Sequence, residues 1–480
     1  DLHSFPTRRS SDLRLCLGGT LPTQILRAQS NPALLPKIDI WIQQMDKLFG
    51  HGNFFFEMQP SKNQDQILVN KTLLKYSIYF DIPYIITTDS HYLRKEDRVV
   101  HKAYLNAQNG DREVDDFYAT TYMMRTKELE SYFSYFNEEA LQEAYKNILK
   151  IRDSIEDYSL LRPLKIPELK WKDLSKEEIL LPEVWDKNNK EFWYPLISML
   201  KTFDESEYDA DRELGRAVRV GIVKHEDLQN KEAYDEINAC LEDTWVSSNV
   251  NKARWSAYYL NLQNIIDICW EAGSLVGCGR GSGVGFILLY CLDITQINPL
   301  RETTKCFRWR FLNPERVSVL DVDFDIEGGR RSQVLNAFRK YYGDDRVANV
   351  ATFRTEKSKS AILTAARGLG IDVDIAQYIA SLIPADRGML RTLDQCYSGD
   401  RENDFAPIKQ FIIEMNNYPE LWNVAQKVEG LICGSGIHAG GVIFVDEPFT
   451  ESTALMRAPD GTICTQFELH DCEDVSLIKI

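Results

Sequence analysis

At 480 residues and 55.4 kDa the chain is longer than the about 250–300 residues that one hydrophobic core organises, so two to four domains are expected and a peptide hormone or single binding module is excluded. Its 44% apolar and 27% charged residues, with 22 Tyr and 22 Phe, are those of a folded chain, not a disordered one. Subtracting 72 acids from 56 bases leaves −16, which taken alone argues against a nucleic-acid partner. The longest clean apolar stretch, residues 284–292, falls short of the about 18 residues a membrane span needs. The ten cysteines are scattered without a Cys-x-x-Cys pair, so a cytoplasmic protein with reduced thiols, no zinc finger and no membrane partner is expected.

Residues 1–13, DLHSFPTRRSSDL, have neither helical nor strand period nor an apolar signal-peptide core, and resemble a translated sequencing adapter; they are expected to be a non-native tail. From 15 to 162, strand candidates at 53–59 and 83–92 flank a helical pattern at 67–79, the alternation of βα units around a parallel sheet or barrel. SLLRPLKIPELKWK, 159–172, with two prolines, is expected to be a linker. Residues 201–250 carry 13 acids against 6 bases on amphipathic helical patterns, a face expected to meet solvent or another protein. Residues 301–367 reverse the balance, with 14 bases against 9 acids. The global charge therefore hides a local +5, with three of those acids gathered in one short segment.

That segment is VSVLDVDFDI, 317–326. Asp321, Asp323 and Asp325 alternate with Val322, Phe324 and Ile326, which on a strand puts the carboxylates on one face and the apolar side chains on the other. Carboxylates about 6.6 Å apart repel unless a cation offsets them, and hard oxygen ligands in a row suit Mg²⁺; an edge strand with a wet acidic face is the plainer alternative. Upstream, GCGRGSGVG at 277–285 could cradle a phosphate with backbone amides and Ser282 at a helix N-terminus, or could be only a tight turn. Between the two, FRWRFLNPERVS at 307–318 brings Arg308, Arg310 and Arg316, whose guanidinium forks could pair phosphates or those aspartates.

GCGRGSG, FLNPERVS followed by LDVDFD, and HAGGVIF at 438–444 resemble, in order and spacing, the catalytic core of the bacterial C-family replicative polymerase, the DNA polymerase III alpha subunit. The resemblance runs from about residue 15 to 480, with PYIITTDSHY similar to the end of the family's PHP domain. It implies an α/β and α+β multidomain fold: the C-terminal part of a PHP (β/α) barrel at 14–164, a polymerase-β-like nucleotidyltransferase palm at 165–354 and 434–480, and an inserted helical thumb at 355–433. Asp323 and Asp325 match the catalytic palm carboxylates that bind two Mg²⁺, and Asp321 the acid before them. Arg280, Gly281 and Ser282 match the turn beside the incoming triphosphate; Arg310, Arg316, Lys359, His438 and Lys479 match further substrate-binding positions. The family's third catalytic Asp follows a stretch like SLIKI, so truncation after Ile480, before that residue and the fingers, is expected, as is inactivity of the piece alone. Cys278 and Leu320 stand where the family commonly has Pro, and Arg354 where it has a small residue. The 247–255 stretch is divergent and has no functional account from sequence.

The same resemblance implies template-directed DNA synthesis from dNTPs on primer-template DNA, with a sliding clamp and other replisome subunits as partners. Asp89 and His91, two apart after PYIITT, match an Asp-x-His pair of the PHP metal cluster, where Zn²⁺ or Mn²⁺ is implied. A PHP-type phosphoesterase or 3′–5′ exonuclease is the alternative activity, and a binding scaffold built on the acidic 201–250 region the non-enzymatic one. Glu57 is expected to be structural and His101 to pack locally.

Overall fold

The computed structural model describes residues 19–109, 117–172, 174, 179–186, 190–193, 197–302, 307–315, 322–386 and 388–479. The chain is a mixed α/β protein, mostly helical with small sheets, and divides into two compact units: Asp1–Tyr158 with Arg354–Gly434, and Ser159–Phe353 with Ser435–Ile480. No helix among the described residues is long and apolar enough to cross a membrane.

In the first unit the helices Thr20–Ser30 and Leu35–Phe49 lead into a βαβ segment. Strands Phe56–Met58 and Tyr84–Ile86 pair in parallel, Phe56 opposite Tyr84, joined by the crossover helix Gln64–Phe80. The helix starts where the Asn63 side chain accepts from the Asp65 amide at 2.8 Å, satisfying one of the donors a helix N-terminus leaves open. Phe56, Met58, Val69, Leu73, Ile86 and Phe133 close the core over it. The expected strand at 83–92 is cut to three residues. After Ile86 the chain turns irregular, and Asp89 takes a left-handed φ of +45° that ends any extended run.

A second core of this unit gathers the helices Ser358–Leu369, Val373–Ser381, Leu393–Ser398, Lys409–Asn417 and Pro419–Val428 around Ala361, Ala365, Phe411 and Leu421. The helix Arg98–Asn109 joins it through Val100 and Ala103. Contact is backbone to side chain-free backbone: a Cβ on Gly368 would lie 2.0 Å from the Ala103 carbonyl oxygen. Arg367 donates to the carbonyl of Ala107 at 3.1 Å, one of the acceptors that the end of the 98–109 helix leaves open. Lys427 pairs with Asp97 at 2.5 Å, which holds the Asp97 carboxyl below the usual carboxylate range.

In the second unit the helices Asp209–Lys224, Lys231–Asn251, Trp255–Glu271 and Arg331–Tyr342 enclose the largest core. Trp255–Glu271 is buried on most of its circumference, with Trp255, Tyr258, Tyr259, Leu262 and Ile265 all shielded. The expected linker at 159–172 is not free. Ile166 and Leu169 enter this core, and Asn261 and Asn264 donate to the carbonyls of Pro167 and Lys170 at 2.7 and 3.2 Å. A four-stranded sheet orders Ile432–Phe444, Val347–Thr355, Ile463–Thr465 and Leu455–Arg457 side by side, Ile463–Thr465 running parallel to Val347–Thr355 and antiparallel to Leu455–Arg457.

The acidic 201–250 region is less open than its charge suggests. Asp211 is 1% exposed, accepts from Ser206 Oγ at 2.7 Å and Ser256 Oγ at 2.6 Å, and faces Arg254, whose guanidinium lies 3.3 Å from the centroid of Tyr208. The divergent 247–255 stretch thereby acquires a structural role: Ser247 and Ser248 are buried, Ser248 accepts from the Trp255 amide, and Lys252 at φ +52° turns the chain between two long helices. Removing the carboxylate strands two buried hydroxyls and a guanidinium, so Asp211→Ala is expected to lower stability by about 2–4 kcal/mol, and Asp211→Asn by less. Urea unfolding measures it; a loss below about 0.5 kcal/mol, the scale of an ordinary surface change, would show that the network bears no load.

Candidate functional site

The carboxylate segment is held by a second, glycine-rich segment through two isolated antiparallel bridges, Val276 with Ile326 and Arg280 with Asp323. The amides of Gly277 and Arg280 donate to the carbonyls of Asp325 and Asp323, each at 2.8 Å. Four steps on one side, from 276 to 280, face three on the other, from 326 to 323, so the glycine-rich side carries one extra residue. This is a β-bulge, which bends the strand and re-aims the side chain that follows it. Gly279 supplies the conformation, with φ +99° and a position where a Cβ would lie 2.8 Å from Thr295 Cγ2. The carbonyl of Cys278, turned out of the ladder, accepts from the Gln296 amide at 3.1 Å.

Arg280, coming out of the bulge, reaches across to both carboxylates. Its Nε lies 3.3 and 3.2 Å from the two Asp325 oxygens and its Nη1 3.5 Å from Asp323 Oδ2. Val322, Phe324 and Ile326 pack against the core, as the alternation predicts, although the described part of the segment forms single bridges in place of a continuous strand. The side chains of Arg280, Asp323 and Asp325 are 58%, 36% and 66% exposed. Ion pairs that wet contribute about 0.2–1 kcal/mol, so the contact is easily exchanged.

These groups line a cavity of about 400 Å³ together with Arg331, His438, Lys479 and the apolar side chains of Ile265, Val334 and Phe338. Three fixed cations, Arg280, Arg331 and Lys479, face two carboxylates there, a formal +1. His438 sits on Ile432–Phe444, and its Nδ1 accepts from the amides of Gly440 at 3.2 Å and Gly441 at 2.7 Å. That assigns the ring proton to Nε2. A Cβ on Gly441 would come within 3.0 Å of Nδ1, so the glycine lets the ring fold back onto its own strand. Lys479 is placed by a bridge to Ile443. Arg331, at the start of Arg331–Tyr342, was not singled out from sequence; the pair of glycines and pair of arginines at 328–331, directly after the acids, was the available signal.

Other expected site residues stand elsewhere. Asp321 and Arg316 lie outside the described residues. Gly281 and Ser282 follow Arg280 into the one-turn 3₁₀ helix Ser282–Gly285, and Arg310 ends the turn Arg308–Arg310; none of the three lines the cavity. The apolar run expected to extend a phosphate-binding helix breaks at Phe286 and resumes only as Ile287–Cys291. Arg308 binds Asp243 at 2.6 Å, with Glu236 at 3.9 Å, and not Asp323 or Asp325, and with Glu232 and Glu236 it lines a separate groove of about 420 Å³. Lys359 is on Ser358–Leu369 in the first unit.

Also in that unit, Asp89 and His91 are not on a strand. His91 Nδ1 meets the Asp89 carbonyl at 2.6 Å, and the ring packs near Tyr118 and His101. His101 packs locally, as expected, and burial with the neighbouring His91 pushes its pKa down to about 4. Glu57 accepts a hydrogen bond from Thr87, a structural use. Among the described residues no three His, Cys, Asp or Glu side chains gather into a metal-holding group.

Residues 224–480 match the family described as the bacterial DNA polymerase III alpha NTPase domain, more than half of the chain. The chain belongs to the bacterial DNA polymerase III alpha family. It is 36% identical over 484 residues to the probable DNA polymerase YorL of Bacillus subtilis strain 168 and to the DNA-directed DNA polymerase of Bacillus phage SPbeta, a span of 97% of this chain and 36% of each relative. Against DNA polymerase III subunit alpha of Thermus aquaticus it is 29% identical over 501 residues, 97% of this chain and 39% of that one. The chain thus spans a little over a third of the length of the polymerase III alpha relatives it matches. All the residues lining the carboxylate cavity fall inside the part that matches the polymerase family.

Proposed function

We propose that this chain carries the catalytic centre of template-directed DNA synthesis, in which a primer 3′-hydroxyl attacks the α-phosphate of a dNTP and pyrophosphate leaves. The observation that carries the reading is the cavity itself: two solvent-open carboxylates and three fixed cations on one wall system, in a chain of the polymerase III alpha family. The donor set suits Mg²⁺, since both carboxylates are hard oxygen ligands with exposed faces left for water and phosphate oxygens. Asp323 and Asp325, with Asp321, would hold two such ions, which supply a more acidic primer hydroxyl and charge neutralisation at the phosphate when bound. Arg331 and Lys479 would orient the β- and γ-phosphates, and His438 would offer its Nε2–H to a phosphate oxygen.

On this reading residues 165–354 and 434–480 form the palm, 355–433 the thumb and 14–164 the end of a PHP domain, with primer-template DNA, dNTPs, a sliding clamp and replisome subunits as partners. Asp89 and His91 would contribute to a Zn²⁺ or Mn²⁺ site there, His91 through Nε2 because the Asp89 carbonyl occupies Nδ1. A PHP-type phosphoesterase or 3′–5′ exonuclease at Asp89 and His91 is the alternative activity.

Binding of a fluorescent dNTP to this chain in Mg²⁺ tests the proposal. Arg331→Gln is expected to weaken it by about tenfold, the scale of one charge-assisted contact, with an unchanged unfolding curve. Affinity that is indifferent both to Mg²⁺ and to Arg331 would overturn the assignment of this cavity.

A further inference from the structure

We propose that Arg280 is the built-in counter-ion of the Asp323–Asp325 pair, and that it exchanges these carboxylates for the polyphosphate of the incoming nucleotide. The inference rests on the function proposed above and adds a coupling to it. The bulge at 277–279 delivers the guanidinium to Asp325 through Nε, at 3.3 and 3.2 Å, and to Asp323 through Nη1 at 3.5 Å, while the Arg280 amide is fixed to the Asp323 carbonyl at 2.8 Å. The backbone is therefore anchored and only the side chain is free to turn. Its 58% exposure, and two contacts at the long end of ion-pair geometry, make the hold weak enough to exchange.

Without substrate, the arrangement offsets the repulsion between two neighbouring carboxylates. A polyphosphate entering the same cavity offers the guanidinium a better, bidentate partner. Each carboxylate it leaves is open to a divalent cation without a competing guanidinium, so nucleotide and cation favour one another's binding with no movement of the backbone. By linkage the effect is reciprocal.

Two titrations on this chain test the exchange. In EDTA with inorganic tripolyphosphate as the probe, the Asp323→Asn, Asp325→Asn double variant is expected to bind more tightly than the parent, because Arg280 is released. In an Arg280→Gln background the same change is expected to gain about two- to fivefold less. Equal gains in both backgrounds would sink the exchange. With Mn²⁺ alone, followed by electron paramagnetic resonance, Arg280→Gln is expected to raise affinity about two- to fivefold, and by more than Arg331→Gln, which removes a cation from the same cavity without touching the pair. Equal effects of the two would overturn the counter-ion role and leave the metal reading intact. Mn²⁺ binding that survives the double aspartate change would instead overturn the metal reading.

Discussion

Asp323→Asn and Asp325→Asn, each introduced into a polypeptide of the relatives' length that carries this sequence, are expected to lower Mg²⁺-dependent primer extension by on the order of 10³-fold. Asparagine keeps the size and one oxygen of each side chain but removes the charge that a divalent cation needs, so the loss falls on the chemical step more than on DNA binding. Neither carboxylate is a fold determinant: both are solvent-open, and their backbone bonds to Gly277 and Arg280 do not involve the side chain. Unfolding curves should therefore overlay those of the parent. Single-turnover extension within tenfold of the parent would remove that carboxylate from the reaction.

Gly221→Ala and Gly368→Ala are expected to destabilise the chain by about 3 kcal/mol each, against the sign that helix propensity gives. Both glycines sit inside helices, Asp209–Lys224 and Ser358–Leu369, where alanine ordinarily gains about 1 kcal/mol. Both, however, face a neighbouring carbonyl. A Cβ at 221 would lie 2.0 Å from the Cys291 oxygen and 2.7 Å from its sulfur, and one at 368 would lie 2.0 Å from the Ala103 oxygen. Backbone cannot rotate out of the way as a side chain can, so two packed segments must separate and leave voids along their length. Gly329→Ala, with nothing within 4 Å of its added methyl, is the control expected to stay near neutral. Urea unfolding followed by circular dichroism measures all three. Stabilisation by either helix variant would mean that the segments already stand further apart.

Period and chemistry made part of this legible in advance. The alternation over 322–326 does send Val322, Phe324 and Ile326 to the core, and the pattern at 67–79 lies inside the helix Gln64–Phe80. GRGSG, DVDFD, HAGGV and SLIKI do bring Arg280, Asp323, Asp325, His438 and Lys479 to one cavity. The misses share a cause, since each turns on tertiary neighbours that a local pattern does not contain. Asp211 reads as a surface acid until Ser206, Ser256 and Arg254 close around it. Arg308 reads as a partner of the aspartates until Asp243, 65 residues away in sequence, claims it. Asp89 and His91 share a strand face only if Asp89 is extended, and its positive φ breaks the two-residue period.

The bulge at 277–279 changes what kind of constraint the glycine-rich segment is under. Because strand side chains alternate, four even steps from Val276 would leave Arg280 on the face of Val276, whereas three steps from Ile326 put Asp323 on the opposite face, so the extra residue absorbed at 277–279 is what sets the guanidinium on the side of the carboxylates. Spacing here is as informative as composition. A homologue one residue shorter here would pair its arginine with the aspartate on an even ladder and have no need of a left-handed glycine at 279, whereas one of this length needs the bulge whatever residue replaces Cys278.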